Sequence, residues 1–151
     1  MKHYVFAIVL SVAVAAGGCS YESKSTVTAP SSTGVASLLG SWGSASAAVI
    51  PTASTCADFK WTPTEQSGTS AKGSFSATCA GDLKLQGTAS GTLNGTVITW
   101  SANGTAQSPS IPACPVTLTG TAELGLNSIR IPYNGSTCLG AVSGVEVLNR
   151  R

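Results

Sequence analysis

From residue 36 onward, apolar and polar side chains alternate one for one, and no helical period persists over a useful length. Leu83, Leu85, Ala89 and Leu93 alternate with Asp82, Lys84, Gln86, Thr88, Ser90 and Thr92. Cys114, Val116, Leu118, Ala122 and Leu124 alternate likewise with Thr117, Thr119, Thr121 and Glu123, and Ile129, Ile131 and Tyr133 continue the pattern around Arg130. Further strands are expected at 57–65, 71–79, 96–106 and 141–149, with a first strand near 38–48. Asn94-Gly95 is a hairpin signal, because both central turn positions are expected to need positive φ. Ser67-Gly68, Gly81-Asp82 and Gly125-Leu126-Asn127 mark neighbouring connections, while Asn103-Gly104 is either a turn or a bulge within a longer strand. Gly-Thr-Ala recurs at 87–89, 104–106 and 120–122, either as a hairpin repeat or through the abundance of Gly and Thr. Strands with one apolar face need a single shared interior. The expected fold is therefore all-β, an antiparallel up-and-down meander of about eight strands closed or nearly closed into a barrel. A β-sandwich is the alternative.

Four cysteines fall in this region: Cys56, Cys79, Cys114 and Cys138. No two are close enough in sequence to resemble a zinc ligand pair, so two disulfides are expected. Residues facing each other across a hairpin share a midpoint. That of Cys56 and Cys79 falls on Ser67-Gly68, and that of Cys114 and Cys138 on Gly125-Leu126-Asn127. The expected bridges are Cys56–Cys79 and Cys114–Cys138.

Charged residues make up only 9% of the chain. Lys24, Lys60, Lys72, Lys84, Arg130, Arg150 and Arg151 are scattered and nearly balanced by acids, which argues against a nucleic-acid partner. The only histidine, His3, lies in the N-terminal apolar stretch. Ser-His and Cys-His catalysis and His-ligated metals are thereby excluded from the remainder. No S-x-x-K motif occurs in the domain. The expectation is a non-enzyme without cofactor or metal.

At the N-terminus, Lys2 and His3 precede the apolar run Tyr4–Ala16. As a helix that run reaches roughly 20 Å, short of the ~30 Å hydrocarbon core, and reads as an export signal. Ala16-Gly17-Gly18-Cys19 resembles the lipobox of bacterial lipoproteins, although leucine is usual where Ala16 stands. The resemblance implies cleavage after residue 18, acylation of Cys19 and attachment to a membrane. Ser20 and Tyr21, rather than an aspartate, imply the outer membrane. Residues 19–35 are then a lipidated Ser/Thr-rich tether, and residues 36–151 the folded domain.

Leu39-Gly40-Ser41-Trp42 opens that domain and resembles the start of calycin barrels, such as lipocalins and avidins. In that family the tryptophan closes the barrel base and a late basic residue packs on it, a part implied here for Trp42 with Arg150 or Arg151. The same opening, together with Ser31-Ser32 and the early cysteine pair, resembles the periplasmic barrel inhibitors of bacterial metalloproteases. This chain differs from them in its lipidated segment and its second cysteine pair.

The inward set combines Phe59, Trp61, Phe75, Trp100 and Tyr133 with many small residues. Either these aromatics line a site for a small apolar ligand, or they fill the space beside the glycines. The expected function is a membrane-anchored, non-catalytic binding or interaction module. The alternatives are protease inhibition and a structural envelope role without a soluble ligand.

Overall fold

A computed structural model of the chain describes residues 34–46 and 50–151. The expected export signal, Cys19, most of the expected tether and the end of the expected first strand lie outside the described residues. Eight strands run in chain order: β1 (Trp42–Ser44), β2 (Cys56–Ser67), β3 (Ser70–Cys79), β4 (Leu83–Asn94), β5 (Val97–Ser108), β6 (Ile111–Leu124), β7 (Ser128–Thr137) and β8 (Gly140–Arg150). Each pairs antiparallel with its sequence neighbours, and β1 pairs with β8 to close a barrel. The meander expected from the alternation is the fold, and the sandwich is set aside.

The inward positions carry the core. Leu83, Leu85, Ile98, Leu118, Ile129 and Leu148 are fully buried. Between them, large residues sit beside glycine on the next strand: Phe75 pairs with Gly87, Trp100 with both Gly91 and Gly120, and Tyr133 with Gly144. A side chain at Gly144 would collide with the Tyr133 ring, and one at Gly120 would press on Trp100 Nε1. Gly144 and Gly120 thus leave room for the rings, while a Cβ at Gly87 would strike the β5 backbone and one at Gly91 the Ile98 side chain. Asn103-Gly104 is neither turn nor bulge; Gly104 lies in register opposite Gly87 within β5.

Two turns are displaced by one residue from their expected places. Asn94 pairs with Val97, so the central residues are Gly95-Thr96, with positive φ at Gly95 alone (62°). Asn94 remains on the strand because a turn needing only one positive φ at its first central position can use the glycine by itself. Likewise Ser67 pairs with Ser70, centring the turn on Gly68-Thr69, with Gly68 at φ 56°.

That displacement matters for the first cysteine pair. Continued without interruption, the Ser67–Ser70 register would set Cys79 opposite Asp58. Two bulges, between Ala57 and Lys60 and between Pro63 and Glu65, each take up one extra residue of β2 and bring Cys56 opposite Cys79. Asp58 lies inside the first bulge at φ 59°, a left-handed conformation that aspartate tolerates better than most side chains. The disulfide forms, with Cα atoms 4.0 Å apart. Cys114–Cys138 also forms, at a Cα separation of 5.9 Å, with Cys138 in the tight β7–β8 turn rather than on a strand.

The first strand is much shorter than expected, at three residues. Beyond Ser44 the chain leaves β8, with a last contact from Ala45 N–H to Val147 O (2.7 Å), and returns where Ser143 N–H meets Ser54 O (2.9 Å). The alternation also inverts on β8. Val145 and Val147 point outward and are exposed, while Glu146 takes an inward phase and is half-buried.

Both disulfides lie at one end of the barrel. The opposite end gathers the Gly68-Thr69, Gly95-Thr96 and Gly125–Asn127 turns, the segment that leads into β1, and the C-terminus.

Candidate functional site

At the end opposite the disulfides, Trp42 is completely buried and its indole N–H donates to Leu38 O at 2.9 Å. The Arg150 guanidinium lies over its ring, 4.3 Å from the centroid. The planar fork of that guanidinium also donates to Leu39 O (2.8 Å) and Ser37 O (2.7 Å). Arginine suits this position because it can stack on a ring and use its edge donors together. Arg150, not Arg151, packs on Trp42; Arg151 instead donates to Ser44 O at 2.8 Å. The segment 37–39, which has no ladder of its own, is held over the barrel end by these contacts.

Inside the barrel, four of the five aromatics singled out from sequence converge. Phe59, Trp61, Phe75 and Trp100 line a cavity of about 40 Å³, walled further by Ile98, Leu118 and Ile131. For comparison, an engineered cavity of roughly 150 Å³ holds benzene. The interior is thus filled down to space for a few water-sized groups. The indole N–H groups of Trp61 and Trp100 are buried and have no hydrogen-bond partner among the described residues. An unpaired buried donor costs about 1–3 kcal/mol. Two of the aromatics that wall the cavity thus carry unsatisfied donors, with Trp100 Nε1 set against the Gly120 backbone.

Tyr133 does not line this cavity. Its ring packs on Phe59 (centroids 4.9 Å apart), and its hydroxyl donates to Cys56 O (3.0 Å) while accepting from Cys56 N–H (2.8 Å). It is a strut from β7 to the start of β2, on the side where β1 has ended. Alternation put this residue inside the barrel but gave no sign of its partner, 77 positions away. Burial pushes the Tyr133 phenol above its ordinary value of 10.0, opposed by the Cys56 backbone bond and reinforced by Glu146.

Tyr133→Phe is expected to cost about 1–3 kcal/mol in urea unfolding, because the buried Cys56 N–H loses its acceptor. The raised phenol pKa also has a pH signature. Its stabilising contribution is intact below pH 10 and declines above it, as the unfolded chain releases a proton that the folded chain retains. Unfolding titrations across the alkaline range are expected to show a slope in the wild type that Tyr133→Phe flattens. An unchanged slope would remove Tyr133 as its source.

Comparison of the chain with family models, curated proteins and solved structures finds no match.

Proposed function

We propose that this chain is a lipid-anchored protein of the bacterial outer membrane whose barrel is a non-catalytic binding module. The lipobox-like Ala16–Cys19 stretch supports the anchor, and the stack of Arg150 on Trp42 supports the calycin-like reading of the barrel. The observation that carries the binding role is the pair of unpartnered indole donors on two tryptophans that wall the apolar cavity. A ligand suited to this arrangement is small and largely apolar and presents a neutral acceptor oxygen. Anything larger than a few heavy atoms requires one lining aromatic to change rotamer.

Residues 20–151, exported to a bacterial periplasm so that the cysteines oxidise, provide the test. A native mass spectrum is expected to show an extra mass that disappears on denaturation and in Trp61→Phe. A bare native mass in the wild type, with indole N–H resonances unmoved by small ketones or esters, would reject the binding role. A second reading, a structural envelope component, is favoured by the small size of the cavity and predicts that bare mass.

A further inference from the structure

We infer that the barrel end opposite the disulfides is a lipid-docking surface, which lays the domain on an anionic bilayer with its disulfide end pointing away. Among the described residues, Ile50 (90% exposed) and Leu139 mark the disulfide end, while a larger set of exposed apolar side chains gathers at the opposite one. Leu126, at the tip of the β6–β7 turn, is 98% exposed, and Val35, Leu39 and Val97 are exposed around it. Val147 lies in the same cross-strand row as Val97, linked through Glu123 and Arg130.

These positions form a continuous rim. Arg150 N–H donates to Asn127 O while its guanidinium holds Leu39 O, which puts the Leu126 turn beside the Leu39 segment. Gln66 bonds both Ala36 O and Gly68 O, which joins that segment to the β2–β3 turn. Leu124 N–H donates to Thr96 O, which connects the β4–β5 turn.

The charge at this end has one sign left over. Glu65 faces Lys72 and Glu123 faces Arg130 across the ladders; Arg150 and Arg151 remain, with the inward, half-buried Glu146 the one acid on β8. The other end carries Asp58, Asp82 and Lys84 and has no such excess. Apolar turn tips beside Arg150 and Arg151 fit a surface whose headgroups are negative and whose acyl chains begin just below. The described segment that runs to Trp42 begins with Gly34 and lies at this end, where Gln66 and Arg150 bond its carbonyls. The inference extends the lipid-anchor reading but stands on the surface itself, so the two can fail separately.

The test uses unacylated residues 20–151, whose barrel from Gly34 to Arg151 is one compact unit closed by its own ladders. Sedimentation with vesicles of phosphatidylglycerol mixed with phosphatidylcholine is expected to show binding that weakens as salt is added. Leu126→Ser combined with Leu39→Ser is expected to lower partitioning roughly tenfold. Arg151→Gln is expected to lower it on the order of fivefold on the anionic vesicles and little on phosphatidylcholine alone. Leu139→Ser, at the disulfide end, should leave partitioning unchanged, and thermal unfolding confirms that each variant is folded. No binding by the wild type, or an equal loss in Leu139→Ser, would overturn the docking surface. The mass of Cys19 in the full chain expressed in cells reports acylation independently. Vesicle binding with an unmodified Cys19 would reject the anchor and retain the surface.

Discussion

Trp42→Ala is expected to remove about 3–5 kcal/mol of stability, the largest loss from any single substitution in this barrel. The indole is wholly buried, donates to Leu38 O and carries Arg150 on its face, so one truncation opens a cavity and frees two contacts. Leu38 is also completely buried, and its carbonyl would lose its donor. Domains of this size are stable by only about 5–15 kcal/mol, so the variant sits close to the folding threshold. The melting temperature is expected to fall by more than about 10 °C. Trp42→Phe keeps a ring for Arg150 and loses the indole donor, and should cost on the order of 1 kcal/mol through that bond. Arg150→Lys should recover little of the native stability, since an ammonium cannot stack on the ring and bond Leu39 and Ser37 together. An alanine variant within about 1 kcal/mol of the wild type would show that the barrel end closes without this fixture.

The second large effect concerns the disulfides. Their sequence separations are 23 and 24, so chain entropy gives them nearly equal weight, about 3 kcal/mol each. Their surroundings differ. Cys56 and Cys79 are both buried, whereas Cys114 is half-buried and Cys138 is exposed in a turn. Thiol–disulfide exchange needs access of a thiolate to sulfur. Dithiothreitol under native conditions is therefore expected to open Cys114–Cys138 first and leave Cys56–Cys79 intact until the barrel unfolds. Alkylation followed by peptide mapping reads the order. Replacing Cys56 and Cys79 together by alanine should cost about 2–4 kcal/mol, and should also loosen the Tyr133 strut that ends on the Cys56 backbone. Reduction of the buried pair first would contradict the burial argument.

Much of this architecture is legible in the alternation. A period of two is a property of the strand itself, so Leu83 to Leu93 and Val116 to Leu124 announce an inward face without knowledge of any partner. The cysteine pairing was also accessible, yet only because two departures from ideal register cancelled the displaced turn. The shared midpoint on Ser67-Gly68 holds for Cys56 and Cys79 after the bulges at Ala57–Lys60 and Pro63–Glu65, while the turn itself is centred one residue later. Pro63 is a local signal for the second bulge, since a strand proline favours one, but the bulge at Ala57–Lys60 has none. Asp58 adopts positive φ because the closing sheet requires it, not because its neighbours form a turn motif.

The candidate site divides in the same way. Sequence alone determined which side chains share the interior, since inward phase is set by neighbours along one strand. It therefore named Phe59, Trp61, Phe75, Trp100 and Tyr133, while the Trp42 cap was implied by the resemblance of Leu39–Trp42 to the opening of calycin barrels. The tertiary structure alone decided that Tyr133 leaves the cavity to bind Cys56, that Arg150 rather than Arg151 stacks on Trp42, and that two indole donors remain unpaired. Each of these depends on contacts between segments far apart in the chain. Distances of that kind are set by strand number, bulges and closure acting together, and appear only once the barrel is complete.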